Sequence, residues 1–324
     1  MSFRQEMIQM AARGIGCLGE RAALVRDFLL REQNADGGFH GRGGPSELCA
    51  TAFGLQGLMG LWPGCDPDGE RLGDIKHPIQ DALARVQPFL QSVGDGPHLD
   101  LRSLAGLARA WAVWTQLQCQ GPLPRAIRDP ILSQLELYRA KEGGYHVNRG
   151  SGFGSAQGCY LAAGVLQDLG TAIPDPEGLV RCVARLQVRP GVFANLLAPE
   201  AVCDLRARIG STLASAAAVA VLQQLGQAVH PATGAWLLRE CWAEGGFLAL
   251  PSAPLPDLWS TASALQTLGR LGVSLVGMRQ QCQAYVDSLW SESGGFLGHA
   301  FDVKADAETT FAGLVALGCL VPTA

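Results

Sequence analysis

The stretch from Gln33 to Leu58, QNADGGFHGRGGPSELCATAFGLQGL, joins a glycine-rich turn to a helix that is almost wholly apolar. Its GGF triplet recurs with small changes at 143–145, 245–247 and 294–296, and a degenerate PGVF stands at 190–193. The segment DGPHLDL, 95–101, fills the one double interval between copies. Six units therefore follow one another at steps of about 50 residues, a period typical of stacked supersecondary repeats.

Every unit places one helix-like segment before the glycine turn and a second one after it. Apolar residues recur at steps of three and four, which is the helical period, and strand-type alternation is absent. The first segment is amphipathic and should face water, as in RAALVRDFLLREQ. The second segment is rich in Ala, Gly, Ser and Leu on all sides, as in ASAAAVAVLQQL, and should be buried.

Six inner and six outer segments predict an all-α protein, an α/α toroid (six-hairpin α6-α6 barrel) of about twelve helices in two concentric rings. A linear solenoid is the alternative, but solenoids usually need polar caps at both ends. The last unit here stays apolar up to GLVALGCLVPTA. We expect a single domain, 1–324, with an N-terminal extension or first helix in 1–19 and the repeats in 20–320.

Composition restricts the partners and the location. The net charge is −4 and no basic run occurs, so nucleic acid is not an expected partner. No stretch of ~18 apolar residues predicts a transmembrane segment. Ten cysteines without CxxC spacing, and a start without an apolar signal stretch, indicate reduced thiols and a cytoplasmic protein.

The repeated GGF turn, followed by a loop and a small-residue helix with Ser or Thr, resembles the protein prenyltransferase β-subunit and squalene-cyclase repeat superfamily. The resemblance covers about residues 20–320. It implies an isoprenoid-handling enzyme that binds a prenyl diphosphate in a central apolar cavity, at whose mouth the inner helices begin. Class II terpene cyclases and relatives without assigned chemistry share the repeat, so a cyclase and a non-catalytic lipid- or protein-binding toroid remain alternatives. A partner subunit or a homodimer also stays open.

The opening stretch resembles the zinc segment of the prenyltransferase β-subunits. There, G-G-F-x-G-R precedes an inner helix that opens D-x-C-Y, and its Asp and Cys bind zinc with a His from the following inner helix. This chain has GGFHGR followed by Glu47 and Cys49, which the resemblance implies as metal residues. Arg102 stands where the His belongs, so the motif is incomplete and the cofactor, zinc or magnesium, stays open. The alternative is a helix cap and a core cysteine.

The segment Asp306-Ala307-Glu308-Thr309-Thr310 resembles the class II cyclase motif D-x-D-D-T. The resemblance implies Glu308 as the acid that protonates the isoprenoid and Asp306 as its partner. A carboxylic acid in a dry pocket beside a second carboxylate holds a raised pKa. The alternative is that Asp306 caps the helix and Glu308 lies in its favourable first turn.

Substrate-binding candidates come from the loops and mouths of the inner helices. Arginine forms bidentate bonds to phosphate oxygens, so several arginines on one rim would suit a diphosphate; surface ion pairs are the alternative. Aligning the inner helices by their final apolar pairs puts Cys49, Leu101, Tyr160, Ala216, Trp259 and Glu308 at one level, with Asp257 two residues before Trp259. The predicted substrate-binding residues are Arg42, Arg149, Arg206, Arg208, Tyr160, Trp259 and Asp257.

Overall fold

The computed structural model describes residues 1–62, 78–94, 96–117, 121–196 and 209–322. The six small-residue segments form helices that pack side by side in a ring, each against the next and the last against the first. These inner helices are α3 (Leu48–Leu61), α5 (Leu101–Leu117), α7 (Ala156–Asp168), α9 (Thr212–Gln224), α11 (Leu258–Arg270) and α13 (Ala307–Leu320).

Six further helices pack around this ring and present their polar faces outward. They are α2 (Arg21–Arg31), α4 (Pro78–Val93), α6 (Arg125–Glu136), α8 (Pro176–Arg185), α10 (Ala232–Arg239) and α12 (Arg279–Ser288). The predicted α/α toroid with two concentric rings is confirmed. One more helix, α1 (Phe3–Gly16), brings the number in the described part of the chain to thirteen.

Two short antiparallel hairpins lie at the glycine turns. Strand β1 (Phe39–His40) pairs with β2 (Ser46–Glu47), and β3 (Gln187–Arg189) pairs with β4 (Val192–Phe193). No described helix is both long and apolar enough to cross a lipid bilayer.

The first glycine of each GGF turn packs directly on the backbone of the next outer helix. Gly37 has a φ of 93°, and a Cβ there would lie 1.8 Å from the carbonyl oxygen of Arg85 on α4. Gly294, in the last unit, meets the carbonyl oxygen of Leu24 on α2 in the same way, at 2.6 Å. Both the positive φ and the close approach require glycine. The sixth turn thus closes the ring onto the first unit.

The aromatic residue of the turn is hydrogen-bonded to the inner helix that follows. Phe39 is fully buried, and its backbone N–H donates to Thr51 Oγ1 at 2.9 Å. A buried N–H without a partner is unfavourable, so the Ser or Thr of the small-residue helix has an architectural role. The same bond joins Tyr145 to Cys159 Sγ, Phe193 to Ser215, Phe247 to Thr261 and Phe296 to Thr310.

Helix α1 covers one end of the toroid, the end at which the inner helices have their C-termini. Its backbone packs against that of α13, because Gly14 and Gly318 remove the side chains that would separate them. A Cβ on Gly318 would lie 1.7 Å from the carbonyl oxygen of Met10. At its other end, the Phe3 N–H donates to Gln167 Oε1 on α7 at 2.9 Å. The toroid is therefore open at one end and closed at the other.

Substituting Gly318→Ala should displace α1 and lower the free energy of unfolding by about 1–3 kcal/mol, since the added methyl group would meet backbone atoms of α1 rather than a movable side chain. Gly269→Ala is the matched control, because a methyl group on Gly269 of α11 would meet no neighbouring side chain or helix within 4 Å. That substitution should be neutral or stabilising. Urea unfolding of both variants measures the difference, and equal stability would contradict the close α1–α13 contact.

Candidate functional site

The first residue before each inner helix fixes the level at which that helix begins. Four of these residues accept a hydrogen bond from the backbone N–H three positions on, as N-caps do: Ser155, Ser211, Asp257 and Asp306. Asp100 makes the same bond before α5, to the Ser103 N–H at 2.7 Å. Glu47 holds the N-cap position of α3 without a side-chain bond.

Counting from these caps aligns the six helices in space. The residues two positions after each cap all line the central cavity, and they form its mouth: Cys49, Arg102, Gln157, Leu213, Trp259 and Glu308. The alignment by final apolar pairs was wrong for three helices. It placed Leu101 one residue early on α5, and Tyr160 and Ala216 about one turn too deep. The leucines used for that alignment stand at different distances from the caps, seven residues on α5, eleven on α7 and α9 and eight on the other three, so they do not mark a common level.

The cavity has a volume of about 470 Å³ and extends from this mouth to Met7 of α1. Small-molecule sites commonly span about 300–1,000 Å³. Small residues of α9 and α11, such as Ala217, Ala220 and Ala262, leave the space open, and Leu161 and Val315 add apolar walls. The walls are therefore suited to a ligand with a substantial apolar part.

Glu308 lies at the mouth of this cavity with its side chain 26% exposed, and it is ion-paired with Arg102. Burial raises the pKa of Glu308 above its ordinary value, and the neighbouring charges of Asp306 and Glu47 raise it further. Arg102 opposes the shift. The site thus holds a carboxyl group whose proton is retained more firmly than in water, beside an arginine that stabilises the carboxylate once the proton leaves.

Asp306 does not point into the cavity. Its Oδ1 accepts a hydrogen bond from the Thr309 N–H at 2.7 Å, and a capping box ties the two residues together. Its Oδ2 lies 3.5 Å from Arg42 Nε. Asp306 therefore fixes the start of α13 and acts on Glu308 through its charge. Asp257 likewise caps α11, accepting from the Ser260 N–H at 2.8 Å, and does not line the cavity.

Aromatic rings cover part of the wall below the mouth. Trp259 and Phe53 lie with ring centroids 5.0 Å apart, and both line the cavity. Tyr160 lines it from α7 and stacks on Phe3 of α1 at 4.9 Å. The Nε1 of Trp259 is buried and has no hydrogen-bond partner in the described structure. Phe53 was not among the residues predicted from the sequence, because it lies inside the opening stretch among other apolar residues.

The residues expected to bind zinc do not fit that ion. Cys49 lines the cavity, but its thiol contacts the carbonyl oxygen of Arg102 at 3.5 Å, and burial raises its pKa to about 11. Zinc binds the thiolate form. Glu47 is exposed outside the cavity lining, and no group of three His, Cys, Asp or Glu residues in the described ranges is arranged to hold a metal. No chemical step is assigned to a metal here.

The described rim arginines are bound to the protein itself. Arg42 makes an ion pair with Asp302 at 2.8 Å, and Arg149 donates to the Tyr138 hydroxyl and to two backbone carbonyls. Neither lines the cavity. The other two predicted phosphate-binding residues, Arg206 and Arg208, lie outside the described residues.

A second polar group of residues lies at the closed end of the cavity, where sequence analysis proposed none. Arg109 of α5 and Arg270 of α11 line the cavity there. Arg109 shares Asp168 with Arg4 of α1, at 3.2 and 2.9 Å. Arg270 forms a two-pronged pair with Glu6 of α1. An arginine in the middle of an otherwise small-residue helix, as in RSLAGLARAW, is the signal that would have pointed to Arg109.

The sequence matches the prenyltransferase alpha-alpha toroid domain over residues 17–248 and again over 217–322. The chain belongs to this family. No protein with a curated description matches it.

Among solved structures, this toroid is similar to the apo type II terpene cyclase MstE from Scytonema, with 13% identity and a TM-score of 0.60 over 94% of this chain and 97% of that one. For an MstE variant bound to its substrate, geranylgeranyl dihydroxybenzoate, the TM-score is 0.58 at 13% identity, over 95% of this chain and 97% of that one. For the GH76A alpha-1,6-mannanase from Salegentibacter, the TM-score is 0.56 at 13% identity, over 93% of this chain and 98% of that one. Likeness at this identity shows the fold, which these neighbours use for different chemistries.

The raised pKa of Glu308 predicts a pH-dependent difference in stability between the wild type and Glu308→Gln. Because the folded state binds the Glu308 proton more tightly than the unfolded chain does, the carboxyl stabilises the fold most at low pH. That contribution is lost as pH rises from the ordinary glutamate pKa of about 4.3 through the folded value. The melting temperature of the wild type should therefore fall relative to that of Glu308→Gln across this window.

Melting curves from pH 4 to 8 measure this difference, with the exposed Glu292→Gln as control. A constant difference, or one of opposite sign, would contradict the raised pKa.

Proposed function

We propose that this toroid is a proton-initiated isoprenoid cyclase in which Glu308 is the acid. The observation that carries the proposal is the position of a partly buried carboxyl group, with a raised pKa, at the mouth of an apolar cavity. An alkene is a weak base, so it needs an acid held close to it and away from competing water.

In the proposed step, the Glu308 carboxyl transfers its proton to a terminal alkene of the bound polyprene. The alkene electron pair forms the new C–H bond and leaves a tertiary carbocation. An internal alkene attacks this cation and forms a ring, and loss of a proton from a neighbouring carbon ends the reaction. Solvent at the mouth then returns a proton to Glu308. Arg102 stabilises the carboxylate between these events.

The aromatic wall supports this chemistry. A cation within about 6 Å of an aromatic ring face is attracted by the ring quadrupole. Trp259 and Phe53 lie next to the mouth, and Tyr160 lies deeper along the path of a folded chain. The small residues of α9 and α11 leave room for the ring system that forms.

Prenyl transfer to a protein is less well supported by the described residues. It requires a bound diphosphate and, in the prenyltransferases that the opening stretch resembles, a zinc ion. Arg42 and Arg149 are occupied by the chain, and Glu47 and Cys49 do not meet the ligand requirements of zinc. A single toroid is sufficient for cyclisation in at least one protein of this shape, since MstE is matched over 97% of its chain.

Turnover of polyprenes in D₂O tests the proposal. Cyclisation of geranylgeraniol or of a geranylgeranylated aromatic acid should give an isomer that carries one deuterium from the acid. Glu308→Gln should lower the rate by about 10²–10⁴-fold, the usual contribution of a general acid. Mass spectrometry of the products measures both quantities.

Two variants serve as controls for this test. Asp306→Asn keeps a good N-cap while removing the charge, so it should slow turnover much less than Glu308→Gln does. Glu292→Gln, on the exposed surface, should leave it unchanged. Wild-type activity in Glu308→Gln would refute the assignment of the acid. Release of inorganic diphosphate from a prenyl diphosphate, with the chain joined to an acceptor, would indicate transfer instead.

A further inference from the structure

We propose that the closed end of the cavity binds an oxyanion head group of the substrate, held by Arg109 with help from Gln266. This inference rests on the proposed function and adds to it the class of substrate, an isoprenoid acid, and its direction of binding. The head lies against α1, and the far end of the chain reaches Glu308.

The charge balance at the closed end is the first argument. Arg4 and Arg109 both use Asp168, whose side chain is 2% exposed, and Arg270 is matched by Glu6. Among the described residues at this end, three guanidinium groups therefore face two carboxylates. A buried charge without a counter-charge is unfavourable, and both Arg109 and Arg270 border the cavity. One negative charge in the cavity would balance the third guanidinium group.

Two side chains that line the closed end have donor groups without a partner in the described structure. Arg109 is 13% exposed and lines the cavity, and its Nε alone donates a hydrogen bond within the described structure. Its two Nη groups make no hydrogen bond in the described structure. Gln266 lines the cavity from α11, and its Nε2 is buried without a partner there.

Arg109 and Gln266 lie at the same depth on facing sides of the ring. Each is nine residues after the N-cap position of its own helix, Asp100 for α5 and Asp257 for α11. Helices α5 and α11 are three places apart in the ring of six, so the two side chains approach the cavity from opposite walls. Both side chains therefore border the same section of the cavity.

The spacing along the cavity is consistent with a single chain that meets both sites. Arg102 and Arg109 are seven residues apart on α5, which corresponds to about 10 Å along the helix axis. A polyprene whose head is held at Arg109 therefore places its alkenes beside the aromatic wall and at Glu308. A carboxylate accepts two parallel hydrogen bonds from one guanidinium, and its single charge equals the excess at this end.

Binding of three probes of equal chain length tests the site: geranylgeranoic acid, geranylgeranyl monophosphate and geranylgeraniol. The acid should bind the wild type at least about tenfold more tightly than the alcohol, as expected for hydrogen bonds to a charged group. The affinity for the monophosphate should lie between those for the acid and the alcohol if one negative charge determines binding. It should exceed the affinity for the acid if the number of acceptor oxygens determines binding. Equal affinity for all three, or no binding of the acid, would overturn the proposal.

Arg109→Gln should abolish the preference for the acid while leaving the affinity for the alcohol unchanged, because Asp168 keeps Arg4 as its partner. Arg109→Lys should retain part of the preference, and Gln266→Leu should reduce it. Arg181→Gln, an exposed arginine on α8, is the matched control and should behave as wild type. A folded Arg109→Gln variant, verified by its melting temperature, that still prefers the acid would refute the site.

These outcomes are independent of the cyclase test. If Glu308→Gln stays active while the acid preference depends on Arg109, the head-group site stands and the acid role falls. If Glu308→Gln is inactive while the acid and alcohol bind equally well, the reverse holds.

Discussion

The bond between the turn aromatic and the inner helix is the interaction on which the structure depends. In each of five units, a buried aromatic N–H donates to a Thr, Ser or Cys four residues after the helix cap. The bond sets the height of each inner helix relative to its turn, and the glycine of that turn sets its distance from the next outer helix. Repeated around the ring, the two contacts align the caps. The cavity mouth is the consequence of that alignment.

Function in this architecture is confined to the few positions that the repeat does not use. The cap, the hydroxyl or thiol four residues later and the leucines of the core are architectural. Most residues two, five and nine positions after the cap line the cavity, and none of them takes part in the cap or turn hydrogen bonds. Glu308, Tyr160 and Arg109 occupy one position of each kind. A toroid can therefore change its chemistry without changing its fold, as the unlike activities of its structural neighbours illustrate.

Helix α1 makes the two ends of this toroid different. Without it the ring would be open at both ends, whereas here Met7 lines the floor of the cavity, Phe3 packs against Tyr160, and two ion-pair groups hold the helix in place. Because those ion pairs lie at the cavity wall, the same residues that attach α1 determine the electrostatic potential at the closed end. The attachment of α1 and the proposed recognition of the substrate head group therefore depend on the same residues. The proposed acid, Glu308, lies at the other end of the cavity.

The sequence by itself determined the repeat, the two classes of helix and the ring, because periodicity and composition are local and each unit carries them. It also identified Glu308, Trp259, Tyr160 and Cys49 as residues near the cavity. Only the tertiary structure decided the level at which each helix begins, which depends on hydrogen bonds between segments about 12–22 residues apart. It alone paired Arg102 with Glu308, which is 206 residues away, and Arg109 with Asp168, which lies on a different helix. Such contacts depend on which side chains meet once the helices have packed, and a local sequence pattern does not contain that information.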